Sequence, residues 1–183
     1  MKLLIALLLV ALTALPAVAL EVAGVPLEPA VTVNGHVLKL NGSGIRKKFF
    51  FKIYIGSLYS AKRLASPAEA LADRGDKLIR MNFLHSKVDK EKIIEAFSEG
   101  FANNTPAMAG SAEVKRFLSF FTADFVRGDV VDLQLGSDGM VTARHNGKVL
   151  GAIQSGKLAT AILRIYLGDR PADDALKTGM LGG

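Results

Sequence analysis

"LNGSGIRKKFFFKIYIGSLYS", Leu40 to Ser60, is the stretch whose reading decides the fold: a glycine-containing turn, one arginine, then a long run of aromatic, apolar and β-branched residues. Such side chains pack well on a pleated surface, so the run predicts a strand. It reads as one continuous strand from Lys47 to Ser60, with "GSG" at 42–44 forming a tight turn ahead of it by virtue of glycine's freedom to take positive φ. A phosphate-binding loop is a poor reading of the same glycines, because those loops lead into a helix N-terminus and this one leads into a strand. Just upstream, "VTVNGHVLKL" places Asn34-Gly35 between alternating β-formers, a two-residue hairpin signal.

Outward from this stretch, strands and helices come in blocks. Ser66-Pro67 with Glu69 opens a short helix, proline sitting where its missing N–H costs nothing. "KLIRMNFLH", Lys77 to His85, predicts a strand. Asp89 stands at the N-cap of a helix whose Ile93, Ile94, Phe97 and Phe101 share one face and which ends near Asn103-Asn104. Ser111 caps a second helix, with Val114, Phe117, Leu118 and Phe121 as its apolar stripe. "DVVDLQLGSDGMVTARHNGKVLGAI" predicts a three-strand meander with turns at Asp138-Gly139 and Asn146-Gly147. A further helix carries Leu158, Ile162, Ile165 and Tyr166 on one face before Gly168, and "RPADDALKTGMLGG" forms a last short one. Hairpins together with clustered helices predict an α+β domain, the helices packed on one face of an antiparallel sheet, with room for a cleft between the layers.

The N-terminus has a different character. Met1 and Lys2 form a basic start, "LLIALLLVALTAL" an apolar stretch too short for a membrane span, and "AVA" at 17–19 a cleavage site, so residues 1–19 read as a secretory signal. Residues 20–183 are then a single domain of a periplasmic or otherwise secreted protein, with no transmembrane span. The chain has no cysteine, which excludes disulfides and thiol chemistry. Its formal charge of +6 is scattered among acids and it has no tryptophan, so neither a phosphate-tracking stripe nor a base-stacking platform exists and nucleic acid is not an expected partner. His36, His85 and His145 lack companions at metal-ligand spacing, and no G-x-S-x-G elbow occurs; no metal, cofactor or hydrolase triad is expected.

Arg46 carries the chemistry that remains. A guanidinium is always charged and offers a planar fork of donors, so beside an apolar cavity it would hold a carboxylate or polarise a carbonyl or phenolate. Pattern alone favours a blander role, a solvated basic corner shared with Lys47 and Lys48. Tyr54 falls on the same strand face as Arg46. On a straight strand ~3.3 Å per residue separates the two by about 26 Å, so joint action requires a turn or bulge between them.

"LNGSGIRKKFFFKIYIGSLYS", "DKEKIIEAFSEGF", "FVRGDVV", "HNGKVLGAI" and the terminal "AILRIYLGDRPADDALKTGMLG", in that order and spacing, resemble the bacterial chalcone isomerase-like proteins. The resemblance covers nearly all of the chain after the signal. It implies an open-faced sandwich, a large antiparallel sheet covered by helices with a ligand cleft between them. It also implies that "GSGIR" puts Arg46 on the family's cleft arginine and Tyr54 on the position of a catalytic threonine. Fatty-acid-binding members use an arginine and a tyrosine for the carboxylate, and Arg46 with Tyr54 is similar to that pair. The enzymes' remaining polar positions fall on Phe83, Lys92, Glu99 and near Ile165, which would leave flavonoid ring closure without its water network. The resemblance therefore implies an exported, non-catalytic binding protein for a fatty acid or similar small apolar anion. A chalcone isomerase-type intramolecular lyase acting on an unknown enone or phenol is the runner-up, and an envelope interaction protein with a vestigial cleft is the third reading.

Overall fold

Hairpin turns form at both asparagine-glycine pairs, and one forms at Phe49-Phe50, where neither glycine nor asparagine stands. The computed structural model describes residues 20–183; the expected signal segment, residues 1–19, lies outside the described residues. Strands β1 (Leu20–Val22) and β2 (Val25–Leu27) make a small hairpin of their own. Then β3 (Ala30–Val33) turns at Asn34-Gly35, φ 51° and 81°, into β4 (His36–Lys48). β4 reverses at Phe49-Phe50 into β5 (Phe51–Ser60). Next come α1 (Pro67–Ala72), β6 (Lys77–Phe83), β7 (Lys87–Val88), α2 (Lys90–Asn104) and α3 (Ala112–Leu118). The chain closes with β8 (Phe125–Val126), β9 (Val130–Leu135), β10 (Met140–His145), β11 (Lys148–Gln154), α4 (Gly156–Leu167) and α5 (Asp174–Met180). Seven strands pair antiparallel in the order β11-β10-β9-β6-β5-β4-β3, the α+β architecture that the sequence predicts.

Two expectations about the opening stretch are corrected. The predicted strand from Lys47 to Ser60 is broken: the chain folds back at Phe49-Phe50, with Lys48 opposite Phe51. Phe49 takes φ 56°, a conformation in which glycine or asparagine is the ordinary occupant, so no turn signal was present to be read. Nor is "GSG" a turn. Gly42 and Gly44 lie inside β4, where α5 crosses so closely that a Cβ on Gly42 would stand 2.2 Å from the Gly179 carbonyl oxygen and one on Gly44 2.8 Å from the Leu176 Cα. Here glycine supplies backbone approach.

The helices cover one face. Tyr54 and Leu58 of β5, Ile79, Met81 and Phe83 of β6, and Val131 and Leu133 of β9 point into the core beneath Ile93, Phe97 and Phe101 of α2 and Leu158, Ile162 and Ile165 of α4. Phe97 stacks on Phe121 at 5.2 Å and meets Phe117 edge-on at 5.2 Å, tying α2 to α3 and the segment after it. Each such buried phenylalanine contributes ~1.5–3 kcal/mol. On the opposite face a smaller cluster, Val33, Leu38, Tyr59 and Leu78, lies near the Arg80–Asp132 ion pair at 2.7 Å. Of the helix starts expected from sequence, Ser66 and Ser111 accept from their third residue, as Ser155 also does at α4, but Asp89 pairs with Lys87, and Asp124 accepts from the Lys90 amide in its place.

Candidate functional site

The turn at Phe49-Phe50 makes Arg46 and Tyr54 direct neighbours across β4 and β5. The Arg46 guanidinium donates from Nη1 to the Tyr54 hydroxyl at 3.4 Å, and its Cζ stands 5.6 Å from the ring centroid. Tyr54 is 1% exposed. Its ring lies against Phe83, which in turn stacks on Phe125 at 4.9 Å, so the phenol is held by packing from behind. A bulge in β5 just before Tyr54, at Ile53, sets the register that aims both side chains to the helix face; the Ile53 carbonyl accepts from the Leu84 and His85 amides.

The pair forms the polar end of a small apolar cavity. Met81 of β6, Ile93, Ala96 and Phe97 of α2, Ile165 and Tyr166 of α4, and Ala172 complete its walls. Tyr166 is a site residue that sequence reasoning placed only on the buried stripe of its helix. The signal was its phenol, since a buried tyrosine hydroxyl needs a partner. It donates to the Met81 sulfur at 3.3 Å, a weak acceptor. Burial pushes the Tyr166 phenol well above its ordinary value, nearby Tyr54 adds to the shift, and Arg46 opposes it. It stays a neutral donor.

Arg46 is held in its charged form. Tyr54 is the largest influence, burial opposes it, and Tyr166 and Asp173 add smaller contributions. Asp173 does not neutralise the guanidinium, because its oxygens accept from the Lys47 amide at 3.1 Å and the Leu176 amide at 2.9 Å, the latter capping α5. Among the described residues no carboxylate lies within ion-pair distance of Arg46. A half-buried cation, two phenols and an apolar wall are suited to an anionic head on an apolar body. Lys47 and Lys48, by contrast, are exposed, so the basic corner divides: one cation turns in and two face water.

As it stands the cavity is nearly closed. Its accessible volume is about 10 Å³, the room of one water molecule. The positions that correspond by resemblance to the isomerases' polar residues are not in reach of it as polar groups. Phe83 is in the aromatic core, Lys92 is exposed and paired with Glu95 at 2.8 Å, Glu99 is exposed, and Ile165 is an apolar wall.

Comparison with curated protein sequences finds no match. Among solved structures the chain is similar to a fatty-acid binding protein of Arabidopsis thaliana, with a TM-score of 0.66 and 19% identity over 86% of this chain and 92% of that one. At that identity the likeness is one of fold. The family description "chalcone isomerase-like" matches residues 19–182, and the chain belongs to that chalcone isomerase-like family.

Proposed function

We propose that this protein is an exported, non-catalytic binding protein whose cleft takes a fatty acid or a similar small apolar anion, with Arg46 anchoring the anionic head and Tyr54 donating beside it. The observation that carries this reading is the Arg46 guanidinium, which reaches Tyr54 but no carboxylate at the polar end of an otherwise apolar cavity. A ligand's carboxylate would supply the missing partner through charge-assisted hydrogen bonds. The fold shared with a fatty-acid binding protein supports the same ligand class. Entry requires the walls to part, so the measured affinity contains the cost of populating an open state.

Calorimetric titration of the purified protein with a medium-chain and a long-chain fatty acid tests the proposal, with Arg46→Ala as the loss variant and Lys47→Ala and Lys48→Ala as controls. Saturable binding lost in Arg46→Ala supports it; absent binding, or equal losses in all three variants, rejects it. The closed cavity favours a second reading, a vestigial cleft in an envelope protein that acts by binding another protein. Absent fatty-acid binding together with a partner retained on purification would select that reading. Export is checked by the mass of protein recovered from cells, which should lack residues 1–19.

A further inference from the structure

The end of the sheet where β4 turns into β5 carries apolar surface that the fold leaves bare. Phe49 is 87% exposed, Phe50 82% and Phe51 48%, and Val126 at the same end is 47% exposed. Scattered exposed apolar side chains are ordinary, but three consecutive phenylalanines on one turn are not. Phe50 and Phe51 touch each other at 4.4 Å, and Phe51 rests on the edge of His85 at 5.5 Å, which leaves Phe49 and the outer side of Phe50 in water.

The backbone of the turn is also costly. The hairpins at Asn34-Gly35 and Asn146-Gly147 use residues suited to positive φ, whereas this one forces Phe49 to φ 56°. A bulky side chain held in a strained conformation and then exposed serves neither the turn nor the core. Its use lies outside the molecule.

Charge identifies the partner. Lys47, Lys48 and Lys52 flank the tip on both strands, and Arg127 lines the groove of about 900 Å³ behind it together with Val25, Phe50, Phe51 and Phe83. All four cations are exposed, and among the described residues none is in an ion pair. Two protruding rings with cations on both sides match an interface that is apolar in depth and anionic at its surface. No helix among the described residues is long and apolar enough to cross a membrane, so attachment through this tip would be interfacial.

We propose that the Phe49-Phe50 tip docks the protein on an anionic lipid bilayer, the two rings entering the acyl boundary while Lys47, Lys48 and Lys52 lie at the level of the lipid phosphates. The docking does not depend on what the Arg46 cavity holds.

The chain has no tryptophan, so Phe50→Trp places a single reporter at the tip. Its emission should shift to the blue with vesicles of phosphatidylglycerol and phosphatidylcholine, and less or not at all with phosphatidylcholine alone. In vesicle sedimentation, the double variant Phe49→Asn/Phe50→Ser should lose about tenfold or more in partitioning. Its urea midpoint should be equal or higher, because asparagine accepts positive φ, and this separates lost docking from lost folding. Lys47→Ser/Lys48→Ser/Lys52→Ser should lose about tenfold or more on the anionic vesicles and most of the salt dependence. Lys157→Ser, exposed on α4 at the other end of the sheet, should bind as wild type does. Binding to neither vesicle, equal binding to both, or unaltered binding by the tip variants overturns the proposal. A wild-type dimer in analytical ultracentrifugation that the double tip variant converts to monomer, without vesicle binding, overturns it in favour of self-association.

Discussion

Arg46 and Tyr54, eight residues apart in the chain, are cross-strand partners on β4 and β5, and the guanidinium reaches the phenol at 3.4 Å. If they grip a carboxylate together, their removal has unequal consequences. Arg46→Ala should weaken fatty-acid binding by about 2–5 kcal/mol, since it leaves an anion desolvated and unpaired. Tyr54→Phe deletes one neutral hydrogen bond and keeps the ring, and should cost about 1 kcal/mol. Titration calorimetry reads both; a larger loss from Tyr54→Phe than from Arg46→Ala would contradict the anchoring role.

The closed cavity makes affinity and stability pull in opposite directions at its wall. Ile93 is 3% exposed and lines the space beside Phe97. Ile93→Ala should destabilise the free protein by about 2–5 kcal/mol in urea unfolding. The same change opens room for an alkyl chain and removes part of the opening cost, so fatty-acid affinity should rise. Weakened binding in a folded Ile93→Ala protein would count against this cavity as the ligand site.

Ring closure of chalcones should not exceed the uncatalysed rate. Arg46 can stabilise a developing phenolate, but the positions that resemble the isomerases' other polar sites are the buried Phe83 and the exposed Lys92 and Glu99. Positioning and proton transfer supply much of such a rate, and none of these three positions brings a polar group to the cavity. Absorbance assays with several chalcones test this, and an Arg46-dependent turnover would promote the isomerase reading.

The crossing of α5 over β4 should tolerate no side chain. A Cβ on Gly179 would stand 2.3 Å from the Ser43 carbonyl oxygen, and neither backbone can yield without moving the helix off the strand. Gly179→Ala should cost about 1–3 kcal/mol or more by urea denaturation, whereas Gly110→Ala, with nothing within 4 Å, should change stability by under about 0.5 kcal/mol.

Acid should loosen the far end of the sheet. Burial disfavours the charge of Asp76, but hydrogen bonds from His36 at 2.5 Å and the Ser137 amide at 2.6 Å outweigh it and hold the carboxyl below its ordinary value of 3.8. A carboxyl depressed in the folded state contributes its full stability above the unfolded value and loses it as pH falls through the folded one. Asp76→Ala should therefore cost about 1–3 kcal/mol near neutrality, and the gap from wild type should narrow below pH 3.8. Urea midpoints across that range provide the measurement; a gap that widens with acid would contradict the assignment.

The expectations that held and those that failed differ in the range of the interaction involved. Ser66 and Ser111 cap helices and Asn34-Gly35 and Asn146-Gly147 close hairpins because the forces at work span a few residues and leave a mark in the local pattern. Phe49-Phe50 leaves no such mark: its turn is imposed by the pairing of β4 with β5 from Lys39 opposite Ser60 to Lys48 opposite Phe51, against local preference. The glycines at 42 and 44 look like turn residues until a helix more than 130 residues later is laid across them. Asp124, 34 residues along, accepts from the Lys90 amide at the start of α2 because that end of the helix is set by the β7–β8 pairing.

By itself, the sequence determined the α+β class, the helix stripes, the meander and the chemical identity of Arg46 as a permanent cation, since these follow from side-chain type and period. Tertiary structure decided whether that cation faces water or a cavity. Moving a reversal to Phe49-Phe50 brought Tyr54 opposite Arg46, and the packing of α4 added Tyr166 from 112 residues beyond Tyr54. The physical reason is that a charge's partners are fixed by strand register and layer packing, which depend on burying Leu58, Ile79 and Leu133 beneath Leu158 and Ile162 and on no residue near Arg46 in the chain.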